Sequence, residues 1–468
     1  MEQRNSSYDA DILVLGAGPA GYVAAIRAAQ LGAKTVIVEK GEVGGTCLNV
    51  GCIPTKALLA CVETLERAKH GADFGVEIGS ISVDVPKMME RKNTIVKTLT
   101  SGVAALLKKN KVRLVSGEGR LVDANTVEVT GSDGVQRITS KFTLIATGSV
   151  PSVLPLPGFE FGENVWSSTE ALEFSSVPKS ILIVGAGAIG LEAAHTFANL
   201  GSDVTVVEMM PQILPAADTE IAAELQKNLE KSGIKFRTNA GVGRAEATRK
   251  GKKVFVKTES GEETFEVEKI LVAVGRRAVI GGIGLDEVGV KHDGRKIVVD
   301  EHMRTSVPGI YAAGDVIGEP MLAHVAWTES AVAVEHAMGL ESKMDYSAFP
   351  ACVYTSPECA SVGLTEKQAR ARHRDVRIGK MSFAHNGKAM GIGENHGFVK
   401  IISAGRFGQV LGFHVVGPHA TDLITEAVVA MRNELTVDEL IASIHPHPTL
   451  SEVVQDAALD VYGRAIHK

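Results

Sequence analysis

The sequence is poor in cysteine, in aromatic residues and in long apolar runs, and each shortage argues against a class of protein. Five cysteines in 468 residues are few and odd in number, which argues against the disulfide framework of a secreted protein. A net charge of −6 offers no basic surface, so nucleic acid is not an expected partner. No apolar run reaches the length that we expect of a membrane span. The polar leader MEQRNSSYDADILVLG lacks the features of a signal peptide or an import presequence. The sequence therefore predicts a cytoplasmic protein, and a mature organellar chain without its presequence fits the same pattern.

The residues that are abundant indicate an α/β architecture. Hydrophobic residues make up 45% of the chain and aromatic residues only 5%, with alanine, valine, isoleucine and glycine prominent. This balance suits buried parallel strands that are covered by helices. At roughly 150 residues per domain, the length predicts about three domains.

An internal repeat organises the first half of the chain. Residues 11–40 and residues 180–209 align without a gap at an offset of 169. Each segment has an apolar strand, a G-x-G-x-x-G motif, an alanine-rich helix, a Leu-Gly turn and a second strand followed by or ending in glutamate. Two βαβ units that bind dinucleotides are therefore predicted.

The three glycines of each motif have different predicted roles. The first allows the tight turn out of the strand, the second lets a pyrophosphate approach the backbone, and the third permits close packing of helix and strand. In chain order these glycines are Gly16, Gly18 and Gly21 in the first unit, and Gly185, Gly187 and Gly190 in the second.

The acids at the strand ends predict which nucleotides bind. Glu39 and Glu208 stand where a carboxylate accepts hydrogen bonds from a ribose diol and repels a 2′-phosphate. Met209, Met210 and Pro211 follow Glu208, with no arginine to receive such a phosphate. We expect the second site to prefer NAD over NADP, although either glutamate alone could be a solvated acid at the end of a strand.

Three further apolar strands end in glycine-containing turns: TLIATGS (residues 143–149), ILVAVGR (residues 270–276) and IYAAGD (residues 310–315). The first two close the repeat units and are expected where the chain crosses between domains. Asp315, at the end of the third, could bond a ribityl hydroxyl or cap a helix. From about Phe349 the glycine-rich pattern stops, which predicts a mixed α+β region for packing or oligomerisation.

The segment GGTCLNVGCIPTK contains Cys47 and Cys52. Zinc binding is disfavoured because no second pair lies at ligand spacing, and so small a loop makes a poor structural staple. Redox exchange is the remaining interpretation of the two cysteines. Positions i and i+5 lie about 7.5 Å apart along a regular helix, so a disulfide needs distorted backbone, which Asn49 and Gly51 could supply. The other cysteines, Cys61, Cys352 and Cys359, are predicted to be buried and inert.

The motif GGTCLNVGCIPTKALL closely resembles the redox-active motif of the class I pyridine nucleotide-disulfide oxidoreductases. The tail HPHPTLSE (residues 445–452) is similar to the C-terminal signature of those members that oxidise dihydrolipoamide. The resemblance covers essentially the whole chain, including MLAH (residues 321–324) and YTSPECASVGLTE. Glutathione and mercuric reductases are poorer matches, because the chain lacks arginines for NADP and ends in YGRAIHK without a cysteine pair.

The resemblance implies an α/β fold with two Rossmann-like domains, one for FAD and one for NAD, and a C-terminal α+β domain that forms a homodimer. The expected domains are 1–150 for FAD and the redox disulfide, 151–278 for NAD, 279–348 as a central domain completing the FAD site, and 349–468 as the interface. The implied partners are lipoyl-bearing proteins or the peripheral-subunit-binding domains of 2-oxo acid dehydrogenase complexes, or the glycine cleavage system. A purely structural subunit is a rival that the intact motifs argue against.

The resemblance also implies roles for individual residues. His447, oriented by Glu452 of the same subunit, is expected to take a proton from dihydrolipoamide in the active site of the other subunit, so that the thiolate attacks Cys47. Cys52 then passes electrons to FAD, and NAD receives a hydride. Lys56 is expected to pair with Glu192 near the flavin, although both could be ordinary surface charges. Instead of orienting His447, Glu452 could form a helix capping box with Thr449. Further cofactor contacts are expected at Lys40, Gly45, Thr46, Gly119, Thr147, Gly148, Ser149, Ile189, Val242, Gly275, Gly314, Met321, Leu322, Ala323 and His324.

Overall fold

The computed structural model describes residues 8–468, and residues 1–7 of the polar leader lie outside the described part. The strands are, in chain order, β1 (Ala10–Leu15), β2 (Thr35–Glu39), β3 (Arg113–Ser116), β4 (Glu118–Asp123), β5 (Thr126–Gly131), β6 (Gly134–Ile145), β7 (Ser149–Pro151), β8 (Val165–Trp166), β9 (Ser180–Val184), β10 (Asp203–Val207), β11 (Lys235–Arg237), β12 (Gly241–Thr248), β13 (Gly251–Thr258), β14 (Gly261–Val267), β15 (Lys269–Val272), β16 (Arg276–Ala278), β17 (Ile310–Ala312), β18 (Ala351–Val353), β19 (Glu358–Gly363), β20 (Arg377–Ser382), β21 (Phe398–Ala404) and β22 (Gln409–Gly417). The helices are α1 (Pro19–Gln30), α2 (Gly45–Val50), α3 (Cys52–Lys69), α4 (Val85–Lys109), α5 (Ala188–Asn199), α6 (Thr219–Lys231), α7 (Leu285–Val288), α8 (Ala323–Ala337), α9 (Glu366–Arg372), α10 (Gly387–Gly391), α11 (Ala420–Arg432), α12 (Val437–Ala442) and α13 (Glu452–Asp460).

The chain divides into two compact units. The first contains the described residues up to Ala57, Met89–Ser152 and Arg276–Asp345, and the second contains Leu58–Met88, Val153–Gly275 and Tyr346–Lys468. The chain therefore leaves the first unit after Ser152 and returns at Arg276, next to the two segments where crossings were expected. The finer division at residues 150, 278 and 348 stays a prediction.

The first unit is built on a sheet with the strand order β3-β2-β1-β6-β5-β4, and β17 pairs with β6. Strand β1 lies parallel between β2 and β6, and its side chains Leu13 and Val14 are fully buried. Such a strand is covered on both faces, which explains its continuous apolar sequence. The twelve residues of β6 are long enough to pair with parallel neighbours at one end and with antiparallel β5 at the other.

The second unit contains three sheets. A parallel sheet has the order β11-β10-β9-β15-β8, and an antiparallel sheet consists of β12, β13 and β14. The C-terminal sheet β18-β19-β22-β21-β20 is antiparallel, with α11 packed on β19 and β22 and α13 on β20. The α/β class and the α+β character of the C-terminal region are thereby confirmed.

The repeat predicted from the sequence is present in the structure. Helices α1 and α5 begin at Pro19 and Ala188, which keeps the offset of the two sequences. The first glycines, Gly16 and Gly185, have φ angles of +106° and +104°, which side chains rarely adopt. A Cβ on the third glycine, Gly21, would lie 1.8 Å from a backbone oxygen, and one on its counterpart in the second unit would lie 2.0 Å away. Both helices therefore need glycine to pack on their strands.

The buried side chain of Lys400 connects three elements of the second unit. Lys400 on β21 has a side chain that is only 1% exposed, and its Nζ lies 2.9 Å from Asp218, 2.7 Å from Glu220 and 2.6 Å from Glu366. Asp218 also caps α6 and accepts the backbone N–H of Glu366, the first residue of α9, at 3.0 Å. The ammonium group therefore compensates carboxylates on two helices that meet the C-terminal sheet.

Replacing this lysine with methionine should destabilise the protein strongly. Lys400→Met leaves the carboxylates without their buried cation, and breaking a buried pair in this way costs about 3–5 kcal/mol in the free energy of unfolding. Lys367→Met is the matched control, because Lys367 is exposed on α9 beside Glu366. Urea unfolding of the holoenzyme measures both variants, and equal midpoints would contradict a stabilising role for Lys400.

The carboxylates around Lys400 predict that the folded protein loses stability in acid. The hydrogen bond from Lys400 lowers the pKa of Glu366. Burial alone would raise the pKa of Asp218, but the Glu366 amide and Lys400 lower it below its usual value. A folded pKa below the unfolded one gives stability that is present above the unfolded value, about pH 4, and is lost as the pH falls through the folded value. As the pH falls through this range, the free energy of unfolding should decrease less in Lys400→Met than in the wild type.

Candidate active site

The helix that carries the cysteines is broken between them. Gly51 separates α2 from α3 with φ −145° and ψ −114°. The side-chain amide of Asn49 donates to the carbonyls of Val43 at 3.1 Å and Gly45 at 2.9 Å, which fixes the end of α2. The expected distortion is confirmed at Gly51, whereas Asn49 lies within helix α2. The break places Cys47 in one helix and Cys52 at the start of the next.

The two thiols lie close enough to share a hydrogen bond. The hydrogen bond to Cys52 raises the pKa of Cys47, burial raises it further, and the positive charge of Lys56 opposes both effects. Cys47 is half-buried and Cys52 is exposed. The break thus brings together the pair that the sequence predicted, while the disulfide bond and the separate roles of the sulfurs stay predictions.

The other cysteines differ among themselves. Cys359 is buried, and burial raises the pKa of its thiol to about 12, which makes it unreactive. Cys61 and Cys352 are only half-buried, so the expectation of burial was wrong for these two. No group of three or more His, Cys, Asp or Glu side chains within residues 8–468 could hold a metal ion.

The strand-end glutamates of both βαβ units are held in the same way. Each carboxylate accepts one backbone N–H from the glycine-rich turn and one from the second residue after the acid. The donors are Ala17 at 2.6 Å and Gly41 at 2.8 Å for Glu39, and Ala186 at 2.8 Å and Met210 at 2.9 Å for Glu208. Neither acid is freely solvated, and both are fixed beside the turn where a ribose next to a pyrophosphate would lie.

The turns leave room for a phosphate. A Cβ added at Gly187 would meet nothing within 4 Å, and one at Gly18 would meet only the Cα of Gly45, at 3.8 Å. A Cβ at Gly45 would lie 2.5 Å from the Cα of Gly18, so the start of α2 packs against the first turn. Open space in front of helix N-termini fits the pyrophosphates of FAD and NAD.

A polar cluster lies at the end of the first βαβ unit. The Ser149 hydroxyl donates to Asp315, and Arg276 Nε donates to the same hydroxyl at 2.7 Å. A second nitrogen of Arg276 donates to the Ser149 carbonyl at 2.7 Å and to the Thr46 hydroxyl at 3.3 Å. Thr46, Ser149 and Asp315 were all expected at the flavin, whereas Arg276 was missed, although it directly follows Gly275 in ILVAVGR.

Three other expected contacts of the first unit have structural partners. Lys40 is exposed and lies 3.2 Å from Glu118. Gly119 on β4 is buried, and a Cβ there would lie 2.4 Å from the Leu15 side chain. The Thr147 hydroxyl donates to a backbone carbonyl at 2.8 Å. Their contacts with a cofactor stay predictions.

The remaining expected residues of the first unit cluster near two turns and one helix start. Gly148 and Gly314 have φ angles of +70° and +78°, and the Gly314 amide donates to buried Glu329 at 2.8 Å. Helix α8 begins at the expected MLAH segment: Met321 and Leu322 precede it, and Ala323 and His324 are its first residues.

The second unit carries four further residues that were expected near a cofactor. Ile189 and Glu192 lie in the first turns of α5, where Ile189 is exposed and Glu192 is buried. Glu192 accepts the Tyr354 amide at 3.1 Å. Val242 lies on β12 at a shift in register, and Gly275 has a φ angle of +109°. The pairing of Glu192 with Lys56 stays a prediction.

The tail contains a histidine–glutamate pair. His447 Nδ1 lies 2.8 Å from Glu452 Oε1, and the other carboxylate oxygen accepts the Thr449 amide at 2.8 Å. Burial alone would raise the pKa of Glu452, but the Thr449 amide and His447 lower it, so this carboxylate stays charged. Helix α13 begins at Glu452 itself, with Ser451 before it, so only the bond from the Thr449 amide to Glu452 represents a capping box. With Nδ1 directed at the carboxylate, Nε2 is left to accept a proton.

The neighbouring histidine has a different carboxylate partner. His445 Nε2 lies 2.9 Å from Glu426 Oε1, and its Nδ1 lies 2.9 Å from the Ser443 carbonyl. The hydrogen bond to Glu426 raises the pKa of His445. Both ring nitrogens are thus engaged, which separates this histidine from His447.

One stretch, Gly45–Lys69, is long and apolar enough to cross a membrane by length and composition alone. This differs from the expectation that no segment reaches that length. The stretch contains the cysteine pair and is broken at Gly51, and core helices of water-soluble proteins pass the same test. It is weak evidence for a membrane span.

Comparisons with known proteins show the family of the chain. The model of the pyridine nucleotide-disulphide oxidoreductases matches residues 10–330, and the model of their dimerisation domain matches residues 349–458. The chain is 46% identical to dihydrolipoyl dehydrogenase from Thermus scotoductus, over 98% of both chains, and 43% identical to that from Geobacillus stearothermophilus, over 98% of this chain and 97% of the other. The crystal structure of LpdA from Mycobacterium tuberculosis has a TM-score of 0.89 at 29% identity and covers 96% of this chain and 98% of the other.

The fold and the cysteine pair define a dinucleotide-dependent disulfide oxidoreductase. The chain belongs to the pyridine nucleotide-disulphide oxidoreductase family, with that family's dimerisation domain at its C-terminal end. It is an oxidoreductase that uses FAD and NAD, as the family does.

Proposed function

We propose that the chain is a dihydrolipoyl dehydrogenase, which oxidises protein-bound dihydrolipoamide to lipoamide and reduces NAD⁺ to NADH. The observation that carries the proposal is the Cys47–Cys52 pair, held together at a helix break next to a dinucleotide-binding turn. The names of the similar full-length relatives support the choice of substrate.

The cysteine pair exchanges bonds with the substrate dithiol. In the oxidised enzyme Cys47 and Cys52 form a disulfide, and a substrate thiolate attacks Cys47, so that Cys52 leaves as a thiolate. The second substrate thiolate then attacks the sulfur bound to Cys47, which releases the cyclic disulfide lipoamide and leaves two reduced cysteines. Bound FAD would supply the route by which the two electrons of the reduced cysteines reach NAD⁺ as a hydride.

The charged groups of the chain position the nucleotides and the proton. Glu39 and Glu208, fixed by backbone amides, accept hydrogen bonds from the ribose hydroxyls of FAD and NAD respectively. His447 accepts the thiol proton at Nε2, because a thiolate is the nucleophile in disulfide exchange. Its side chain is 82% exposed and lies within the residues matched by the dimerisation domain, which supports a role in the active site of a second subunit.

The proposed partners are a second copy of the chain and lipoyl-bearing proteins or peripheral-subunit-binding domains of a 2-oxo acid dehydrogenase complex, or the glycine cleavage system. The cytoplasmic location predicted from the sequence stays a prediction. Co-purification followed by identification of the bound lipoyl protein tests the choice of partner.

A steady-state assay tests the activity. The purified protein should be yellow with bound FAD and should produce NADH from free dihydrolipoamide and NAD⁺. Glutathione disulfide with NADPH serves as the rival substrate pair and should support no turnover. A colourless protein without FAD, or the absence of NADH formation, would contradict the proposal.

The nucleotide preference gives a separate prediction. Glu208→Gln removes the charge that accepts the ribose diol and repels a 2′-phosphate, so the KM for NAD⁺ should rise about tenfold, the effect of roughly one charged hydrogen bond. The ratio of kcat/KM for NADP⁺ to that for NAD⁺ should rise as well. Glu230→Gln, an exposed change on α6, is the control. An unchanged KM for NAD⁺ would show that Glu208 does not contact the ribose.

A further inference from the structure

Two methionine side chains are exposed directly after the strand-end acid of the second βαβ unit. Met209 and Met210 follow Glu208 in the chain, and they are 75% and 45% exposed. Within residues 8–468 the only other exposed methionine is Met390 on α10, at 60%. Single exposed apolar side chains are common on protein surfaces, but this pair is adjacent and lies beside a carboxylate that is fixed to hold a ribose.

Hydrogen bonds of the backbone hold the methionine pair in place. The Met210 amide donates to the carboxylate of Glu208 at 2.9 Å, and the Met210 carbonyl accepts the amide of Asn239 at 3.0 Å. Further along the same segment, the Leu214 amide donates at 2.9 Å to the carbonyl of Ala186, in the glycine-rich turn. The backbone of this segment is therefore fixed beside the turn, while the two thioether side chains extend into solvent.

A dinucleotide whose ribose is bound by Glu208 has its adenine next to this pair. The ribose uses its 2′ and 3′ hydroxyls to bind the carboxylate, and the pyrophosphate extends from its 5′ carbon toward the glycine-rich turn. The adenine is attached to the 1′ carbon, so it points away from the pyrophosphate and past the end of β10. Met209 and Met210 are the next side chains after the acid, and thioethers make favourable contacts with aromatic rings.

The same exposure leaves both sulfurs open to oxidation when no nucleotide is bound. Hydrogen peroxide transfers one oxygen atom to a thioether sulfur, so its O–O bond breaks, an S–O bond forms and water leaves. The sulfur is oxidised by two electrons and the peroxide is reduced. The product, methionine sulfoxide, is polar, and it loses the apolar contact that the thioether makes.

We propose that Met209 and Met210 form an oxidation-sensitive cover for the adenine ring of NAD, and that their conversion to sulfoxides by a peroxide weakens the binding of NAD⁺. This inference rests on the proposed function, in which Glu208 binds the ribose of NAD. The conversion is reversible, because methionine sulfoxide reductases restore the thioether. Bound NAD⁺ shields both sulfurs, so a peroxide acts selectively on enzyme whose nucleotide site is empty.

The first test measures the protection of the methionine pair by NAD⁺. The holoenzyme is treated with hydrogen peroxide in its oxidised form, in which the proposed disulfide withholds both active-site thiols, and mass spectrometry of its peptides follows each sulfoxide. At about ten times its Kd, NAD⁺ leaves the site empty about a tenth of the time. Sulfoxide formation at Met209 and Met210 should therefore be about tenfold slower with NAD⁺, whereas the rate at Met390 should not change.

The second test measures the Kd for NAD⁺ by equilibrium dialysis before and after peroxide treatment. The Kd should rise about tenfold in the wild type, the effect of losing part of the apolar contact of a methionine side chain. ADP-ribose, which carries the adenosine half without nicotinamide, should show the same rise. Methionine sulfoxide reductases A and B with dithiothreitol should restore the original Kd for both ligands.

Two variants assign this rise to the methionine pair. Leucine is apolar and close to methionine in volume, and it has no sulfur to oxidise. The ratio of the Kd after treatment to the Kd before treatment should be close to one in Met209→Leu/Met210→Leu. The matched control Met390→Leu should give the same ratio as the wild type.

The outcomes separate this proposal from the function on which it rests. If the untreated holoenzyme does not bind NAD⁺, both are contradicted. If it binds NAD⁺ but the pair is not oxidised, or is oxidised at the same rate with and without NAD⁺, only the role of the methionine pair is overturned. The same conclusion follows if both sulfoxides form and the Kd for NAD⁺ is unchanged, or if the double leucine variant shows the same rise as the wild type.

Discussion

Cys52→Ser is expected to abolish the reduction of lipoamide by NADH, with kcat falling on the order of a thousandfold or more. Serine cannot form the disulfide with Cys47 that exchanges with the substrate. FAD should remain bound, because the dinucleotide turn and Glu39 are unchanged. Initial rates and the flavin spectrum of the purified variant measure both properties.

The control for this experiment lies on the same helix. Cys61 is half-buried on α3, and Cys61→Ser should keep near-normal turnover. If Cys52→Ser retained turnover close to that of the wild type while holding FAD, the redox role of the pair would be wrong.

His447→Gln is expected to reduce kcat for dihydrolipoamide oxidation by about 10²–10⁴-fold, the usual contribution of a general base. Glutamine can keep a hydrogen bond to Glu452 but cannot take the thiol proton. The acid limb that a histidine base gives to the pH profile of the rate should disappear in the variant. Rates measured from acid to alkaline pH test this, with dihydrolipoamide at saturation.

Two further variants show whether the loss of kcat is caused by the His447–Glu452 pair. Glu452→Gln keeps the base but weakens its orientation, so its loss should be smaller than that of His447→Gln. His467→Gln changes another histidine of the tail, which bonds to Asp456, and should behave like the wild type. An equal loss in His467→Gln would indicate damage to the tail rather than to a base.

The local features of the site could be predicted from the sequence because they depend on short spacings. The glycine turns, Glu39 and Glu208 lie within βαβ units whose hydrogen bonds repeat along with the residues. The break at Gly51 was also expected, because a regular helix cannot bring residues five apart together.

The features that sequence reasoning missed depend on contacts between distant segments. Arg276 reaches Thr46 across 230 positions, and Lys400 reaches Asp218 across 182; no periodic pattern signals such pairs. The capping box weighed as an alternative at Thr449 forms only in part: the carboxylate of Glu452 accepts the Thr449 amide and also binds His447, and the helix begins only at Glu452.

The break at Gly51 also makes the two sulfurs electrically unequal. Cys52 is the first residue of the 18-residue helix α3, whereas Cys47 lies inside the six-residue helix α2. The positive end of a long helix dipole stabilises a thiolate at its first turn. If the pair works as we propose, the break at one glycine therefore favours the negative charge on Cys52 when the disulfide opens.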